Sequence, residues 1–414
     1  MTPSSPQAAP TPRLGPRPLP LHLMAAAMSY ASSNAALPLL RQGLLRWSPG
    51  LGKDAEALRA GLARANGEAL GRAVEREGRR RLDAFLTGVE RYRSHPYRRN
   101  LQDPPAVWAS GTTVLYDYGH TGGDRPAVPV LLVPSLVNRA YILDLSARRS
   151  FARWLSASGF WPFLVDWRAP GPAERPFTLS DYVSTRLEPA LDAVLALSGE
   201  RPALLGYCMG GLLAVALAQR RAKALRSMAL LATPWDFHAG RPGQALSLAA
   251  VAQSMDWLMA ALGELPVDVI QALFASLDPV LAERKFSAFS ALDPESDAAQ
   301  DFVALEDWIN DGVPLAAPVA RECLSGWYGG NTPALGAWRI AGAPVEPAAV
   351  DLPALVVIPA HDRIVPPESA EALGRSLRRA AVLRPDVGHI GMMVSRGVET
   401  GLWPRIAEWL RESA

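Results

Sequence analysis

Two spacings of apolar residues divide the chain. Through residues 21–47 and 52–93 the apolar positions recur every three or four residues. Leu39, Leu40, Leu44 and Leu45 do so first, then Leu58, Leu62, Ala65 and Leu70, with Arg and Glu between them. That spacing keeps one stripe of a helix apolar and predicts a helical arm. Pro96, Pro104 and Pro105 close it, so the arm is placed at residues 21–105. From about residue 110 the texture changes to short, nearly continuous apolar runs: TTVLYDYG (112–119), VPVLLVPS (128–135), FWPFLVDW (160–167), PALLGY (202–207), SMALLAT (227–233), ALVVIPA (354–360) and AAVLRP (380–385). The turn GHTGGDRP joins the first two. Helical stretches are expected at 145–158, 179–198, 209–220, 368–378 and 399–411. Fully apolar strands alternating with helices imply a mostly parallel, doubly wound sheet covered on both faces. Residues 234–345 interrupt the alternation with a Trp-, Ala- and Leu-rich helical insertion, placed as a cap within a catalytic domain at 106–414.

Composition narrows this picture. The chain has 414 residues, 49% hydrophobic and 20% charged, which suits a soluble globular protein with ample length for a core. Residues 1–104 hold 16 Lys and Arg against 8 Asp and Glu, an excess of eight positive charges; the rest therefore carry −6, giving the chain its +2. The basic segment reads first as a solvated helical face. Without aromatic interleaving or a known module it gives no case for nucleic acid. Residues 1–20 contain seven prolines and are expected to be a disordered leader. Arg13 and Arg17 ahead of LPLHLMAAAMSYASSNAA imitate a secretory signal, but Pro20 and His22 break its apolar part. Two cysteines, Cys208 and Cys323, make no disulfide framework, and the six histidines show no H-x-x-x-H spacing. A reducing, cytoplasmic setting with no bound metal or cofactor is the expectation.

The chemistry centres on Gly206-Tyr207-Cys208-Met209-Gly210-Gly211. A strand runs into a helix with one residue, Cys208, at the corner, and flanking glycines let the chain turn sharply. The helix N-terminus beneath the sulfur stabilises negative charge on it. The Met209 N–H points the same way and is a candidate oxyanion donor, with a second expected from Leu136 in the loop VPSLVNRAY. Downstream, Asp362 follows the strand ALVVIPA, and His389 sits in VGHIGMM after the next strand. Nucleophile, acid and histidine thus fall in the order of an α/β-hydrolase fold, here with a helical cap insertion and an N-terminal helical arm. Aspartate in such a place also makes Asx turns. His361, next to Asp362, should point elsewhere. Sulfur suits transfer from a thioester: loading from an acyl-CoA is close to thermoneutral, and attack by a hydroxyl then runs downhill to an oxygen ester. Trp235, Trp257, Trp308 and Trp327 in the insertion read as core packing first and as a channel lining second. Cys323 reads as buried and inert.

From about Val89 to its end the chain resembles the polyhydroxyalkanoate synthases. VERYRSHPYRR (89–99), VPSLVNRAYILDL (133–145), LVDWRAPG (164–171), GYCMGG (206–211), the segment 305–331, HDRIVP and VGHIG carry the likeness. The resemblance implies a catalytic Cys208, Asp362 and His389. It implies polymerisation of (R)-3-hydroxyacyl-CoA into polyester with release of CoA, often by a homodimer at a granule surface, with the CoA thioester as substrate and no further cofactor. Two alternatives stand beside it: an intracellular polyhydroxyalkanoate depolymerase or other cysteine-nucleophile hydrolase, in which FTLSDYV (177–183) is also at home, and a non-catalytic granule-associated protein.

Overall fold

Parallel pairing is what the apolar runs make. In the computed structural model, residues 12–47, 49–119 and 127–413 are described. Most of the leader (residues 1–11) and nearly all of the turn GHTGGDRP (residues 120–126) lie outside them. The chain forms two compact units: Arg99–Leu273 with Asp311–Ala414, and Met1–Arg98 with Phe274–Asn310.

The larger unit holds an eight-stranded sheet. Its strands are β1 (Ala106–Ser110), β2 (Thr113–Asp117), β3 (Val128–Val133), β4 (Phe160–Asp166), β5 (Ala203–Tyr207), β6 (Ser227–Leu231), β7 (Ala354–Val357) and β8 (Ala380–Leu383). Their order across the sheet is β1-β2-β4-β3-β5-β6-β7-β8. β1 and β2 pair antiparallel, as do β2 and β4; every other neighbour is parallel. The central strands are apolar on both faces because helices cover both: Val130–Val133, Ala203–Leu205 and Met228–Leu231 are 0% exposed. β1 was not expected. It is a five-residue edge strand behind Pro104 and Pro105, half exposed, and its register slips between Ala106 and Trp108.

The helix expected at 145–158 begins only at Phe151, capped by the Ser150 hydroxyl, which accepts from the Arg153 N–H at 3.1 Å. A 3₁₀ turn, Ala140–Asp144, precedes it. The reason is Asp144. This fully buried carboxylate accepts from Ser150 (2.6 Å), Arg153 (2.8 Å), Arg99 (3.0 Å) and Tyr118 (3.2 Å). A buried charge needs such a ring of donors, and a helix running through it would turn the carboxylate away from them.

The smaller unit is helical: α1 (Leu19–Arg41), α2 (Asp54–Arg64), α3 (Gly67–Ser94), α4 (Leu281–Phe289) and α5 (Asp297–Asn310). Two of its helices thus come from the insertion expected as a single cap. The helix expected over 52–93 is broken at Asn66, whose side chain caps α3 by accepting from the Ala69 N–H at 3.0 Å. Along α3, Glu68, Glu75 and Glu77 each sit four residues before an arginine partner: Arg72, Arg79 and Arg81. These pairs are exposed, so each is worth little, but they leave much of the basic face locally balanced. The core is aromatic. Phe286 meets Phe85, Tyr92 and Phe302 edge-on, with centroids 5.3–6.3 Å apart. A Cβ on Gly88 would lie 2.0 Å from the Phe286 carbonyl oxygen, so only glycine lets α3 and α4 approach this closely. Within the expected leader, Arg13 is buried. Its guanidinium grips both Asp307 oxygens (2.6 and 2.9 Å) and the His95 carbonyl (2.6 Å).

Candidate active site

The strand-to-helix corner forms as a strained turn. Cys208 stands at φ 54°, ψ −128°, between β5 and the helix Met209–Arg221. Left-handed backbone at a non-glycine residue is costly and persists only where the surroundings force it. Here they do. The Cys208 N–H donates to Leu231 of β6 at 2.8 Å, and its carbonyl accepts from Gly211 at 2.9 Å. A Cβ on Gly206 would come within 2.5 Å of the Gly211 Cα, and one on Gly210 within 2.1 Å of the Val133 carbonyl oxygen. Glycine therefore lets the helix start so close to β5 and to the end of β3. The sulfur, part exposed, sits at the carboxyl edge of the sheet, where ligands of open α/β sheets bind.

Two loops on that edge bring up the partners. Asp362 follows β7 and His389 follows β8; both are buried. The His389 Nδ1 and the Asp362 Oδ2 are 2.7 Å apart. The other Asp362 oxygen accepts from the Ile364 and Val365 N–H groups, each at 2.8 Å. The Asx turn and the imidazole contact therefore coexist, one on each oxygen. The Cys208 side chain lies beside His389, close enough for its charge to act on the imidazole. Burial alone would lower its pKa. The negative charges at Cys208 and Asp362 outweigh burial and hold it at about 10, so the imidazolium is the favoured form at neutral pH. Cys208, His389 and Asp362 are thus joined in one chain of contacts. His361 turns away and pairs with Asp386 at 2.6 Å.

Leu136 is buried in the loop after β3. That loop is pinned by the Trp167 indole, which donates to the Pro134 carbonyl at 3.0 Å, and by a bridge between Asn138 and Gly312. Met209 is the first residue of its helix, so its N–H has no acceptor within the helix. Two tyrosines stand near the sulfur that the sequence pattern did not single out. Tyr207 donates to the His389 carbonyl at 3.3 Å. Tyr328 lies on a π-helical turn, Glu322–Gly329, a type of irregularity found often at functional sites. Its pKa is raised by burial first, then by charge at Cys208 and Cys323. The only signal in the sequence was that one precedes Cys208 directly and the other lies in 305–331. The four tryptophans singled out above do not gather. Trp235 and Trp327 are buried and linked through Trp338, Trp257 is 71% exposed, and Trp308 is buried in the smaller unit. Cys323 is buried, and burial pushes its thiol well above the ordinary range. Among the described residues, no group of three or more His, Cys, Asp or Glu could hold a metal ion, and no single helix is long and apolar enough to cross a membrane.

Residues 128–395 match the family described as alpha/beta hydrolase fold. The poly(3-hydroxyalkanoate) polymerase subunit PhaC of Synechocystis sp. is 30% identical over 344 residues, covering 80% of this chain and 90% of that protein. The protein of the same name from Thiocystis violacea is 29% identical over 312 residues, covering 74% and 87%. That from Haloarcula marismortui is 29% identical over 294 residues, covering 70% and 62%. The match thus spans about three-fifths of the Haloarcula relative's length. With the sheet order, the strained strand–helix corner and these likenesses together, the chain belongs to the α/β hydrolase fold family and, within it, to the poly(3-hydroxyalkanoate) polymerases.

Proposed function

We propose that this chain is an acyltransferase that polymerises (R)-3-hydroxyacyl-CoA into polyhydroxyalkanoate through a thioester on Cys208, with Asp362 and His389 completing a catalytic triad. The observation that carries it is a cysteine, not a serine, at a strained strand–helix corner, in contact with a buried histidine whose far nitrogen is gripped by a buried aspartate. At neutral pH the thiol proton already rests on His389, and in the first step the Cys208 sulfur attacks the acyl-CoA carbonyl. The bond from carbonyl carbon to the CoA sulfur breaks, and the leaving CoA takes the proton from the imidazolium. The acyl group is now a thioester on Cys208. In the second step His389 takes the proton of an incoming 3-hydroxyl, whose oxygen attacks that thioester. An oxygen ester forms, the Cys208–carbonyl bond breaks, and the proton stays on His389 beside the freed sulfur anion. Asp362 orients His389 and stabilises its charged form throughout. N–H groups at Met209 and Leu136 are the oxyanion donors in this reading. The CoA thioester is a substrate, so the chemistry calls for no further cofactor. A granule surface, a growing polyester chain and a second copy of this chain are the partners, in the cytoplasm.

The test is CoA release and polymer formation from 3-hydroxybutyryl-CoA. Native protein should yield both, and Cys208→Ala neither; Cys208→Ser should retain little. Free hydroxy acid from amorphous polymer, without CoA release from the thioester, would reassign the chain as a depolymerase. Granule binding with neither activity would make it a non-catalytic granule protein.

A further inference from the structure

Tyr207 precedes the sulfur-bearing residue by one position and is 3% exposed. Its hydroxyl donates to the His389 carbonyl at 3.3 Å, and its ring lies against the imidazole, with centroids 5.5 Å apart and planes tilted by 37°. Asp362 holds the same imidazole by Nδ1. The histidine is therefore gripped from two strand ends: a carboxylate fixes one ring nitrogen, and a tyrosine fixes its backbone and rests on its ring. From this geometry we propose that Tyr207 is a positioning residue for His389, keeping the imidazole aligned to serve first the Cys208 sulfur and then the incoming hydroxyl. The proposal rests on the catalytic roles assigned above.

The two contacts differ in weight. A hydroxyl-to-carbonyl separation of 3.3 Å is long for an O–H···O bond, so it contributes the smaller share. The aromatic ring contributes more, because its π system attracts an adjacent cation and excludes water from it. The charged and titratable groups facing His389 are Cys208 at the β5 corner, Asp362 from the loop after β7, and Tyr207 itself. Burial, then the negative charge at Cys208 and Asp362, holds the Tyr207 hydroxyl well above its ordinary pKa, so it stays a donor wherever the protein is folded.

The test compares Tyr207→Phe, which keeps the ring, with Tyr207→Leu and Tyr207→Met, which remove it. Three quantities are read: kcat and KM for CoA release from 3-hydroxybutyryl-CoA, melting temperature, and the pH dependence of Cys208 alkylation by iodoacetamide, located by mass spectrometry. The Phe variant should keep kcat within about threefold of native and leave the alkylation profile unmoved. The ring-less variants should lose kcat by about tenfold to a hundredfold with KM within about twofold. In them the high-pH inflection, where His389 gives up its proton, should move down by about one pH unit. Ring-less variants with native kcat and an unmoved inflection would overturn the proposal. So would a loss of kcat that tracks melting temperature while the inflection stays in place. The Phe variant separates the two contacts even if a ring-less chain folds poorly. A native chain that released no CoA would sink the proposed function, yet its alkylation profiles would still decide the role of Tyr207.

Discussion

Two histidine–aspartate pairs stand side by side, joining the same two loops in opposite order. His389 and Asp362 are 2.7 Å apart, and His361 and Asp386 are 2.6 Å apart. By distance they are equivalent. By surroundings they are not: the inner side chains are 7% and 1% exposed, the outer ones 70% and 90%. Water and salt screen the outer pair, and backbone bonds such as His361 N–H to the Val387 carbonyl, 3.0 Å, already hold its loops together. The inner pair has no such screen, and the Cys208 sulfur adds to it. What separates the two pairs is enclosure and a third neighbour, not a shorter contact.

The comparison can be broken from the inside outward. Asp362→Asn should cost about a thousandfold in the rate of CoA release, as it removes the group that sets the tautomer and charge of His389. Retention of a tenth of native activity would mean that the inner pair is no more important than the outer. The same variant carries a signature in stability. The His389 pKa is raised in the fold to about 10, so the stability it lends is complete below its unfolded value of about 6.5 and is lost as pH climbs through 10. The gap in melting temperature between native and Asp362→Asn should therefore be widest near pH 6 and narrow toward pH 10. A gap that widens with pH would contradict the direction assigned to His389. Asp386→Asn should have the smallest effect: activity within about twofold, and a stability change of at most about 1 kcal/mol by denaturant titration, shrinking in 1 M salt. A tenfold loss of activity there would show that the outer pair steers the inner one.

The sheet could be read from the chain because parallel strands buried on both faces are continuous apolar runs, as in VPVLLV and SMALL. The corner could be read because glycines must flank a residue forced to φ 54°. β1 could not be read, since an edge strand that is half exposed, starting behind two prolines, has neither a continuous run nor a clean alternation. The start of the helix at Phe151 was hidden because it depends on which donors reach Asp144, some of them more than 25 residues away. The joining of α3 to α4 spans about two hundred residues and depends on one missing side chain at Gly88, which no local pattern announces. The grouping of Cys208, Asp362 and His389 was legible as an order of residues along the chain. The placement of Tyr207 against His389 was not, because an aromatic residue in a buried strand looks the same whether it fills space or leans on an imidazole.

The Asp362 carboxylate has both its oxygens engaged, one on two backbone N–H groups and one on an imidazole. A carboxylate tethered at one end could swivel and trade its oxygens; this one has no free rotation to spend. Lengthening it by a single methylene, as in Asp362→Glu, would force a choice between the turn that shapes the loop and the contact with the His389 imidazole. Two residue types with the same charge are therefore not exchangeable here, and any natural drift at this position has to move the backbone along with the side chain.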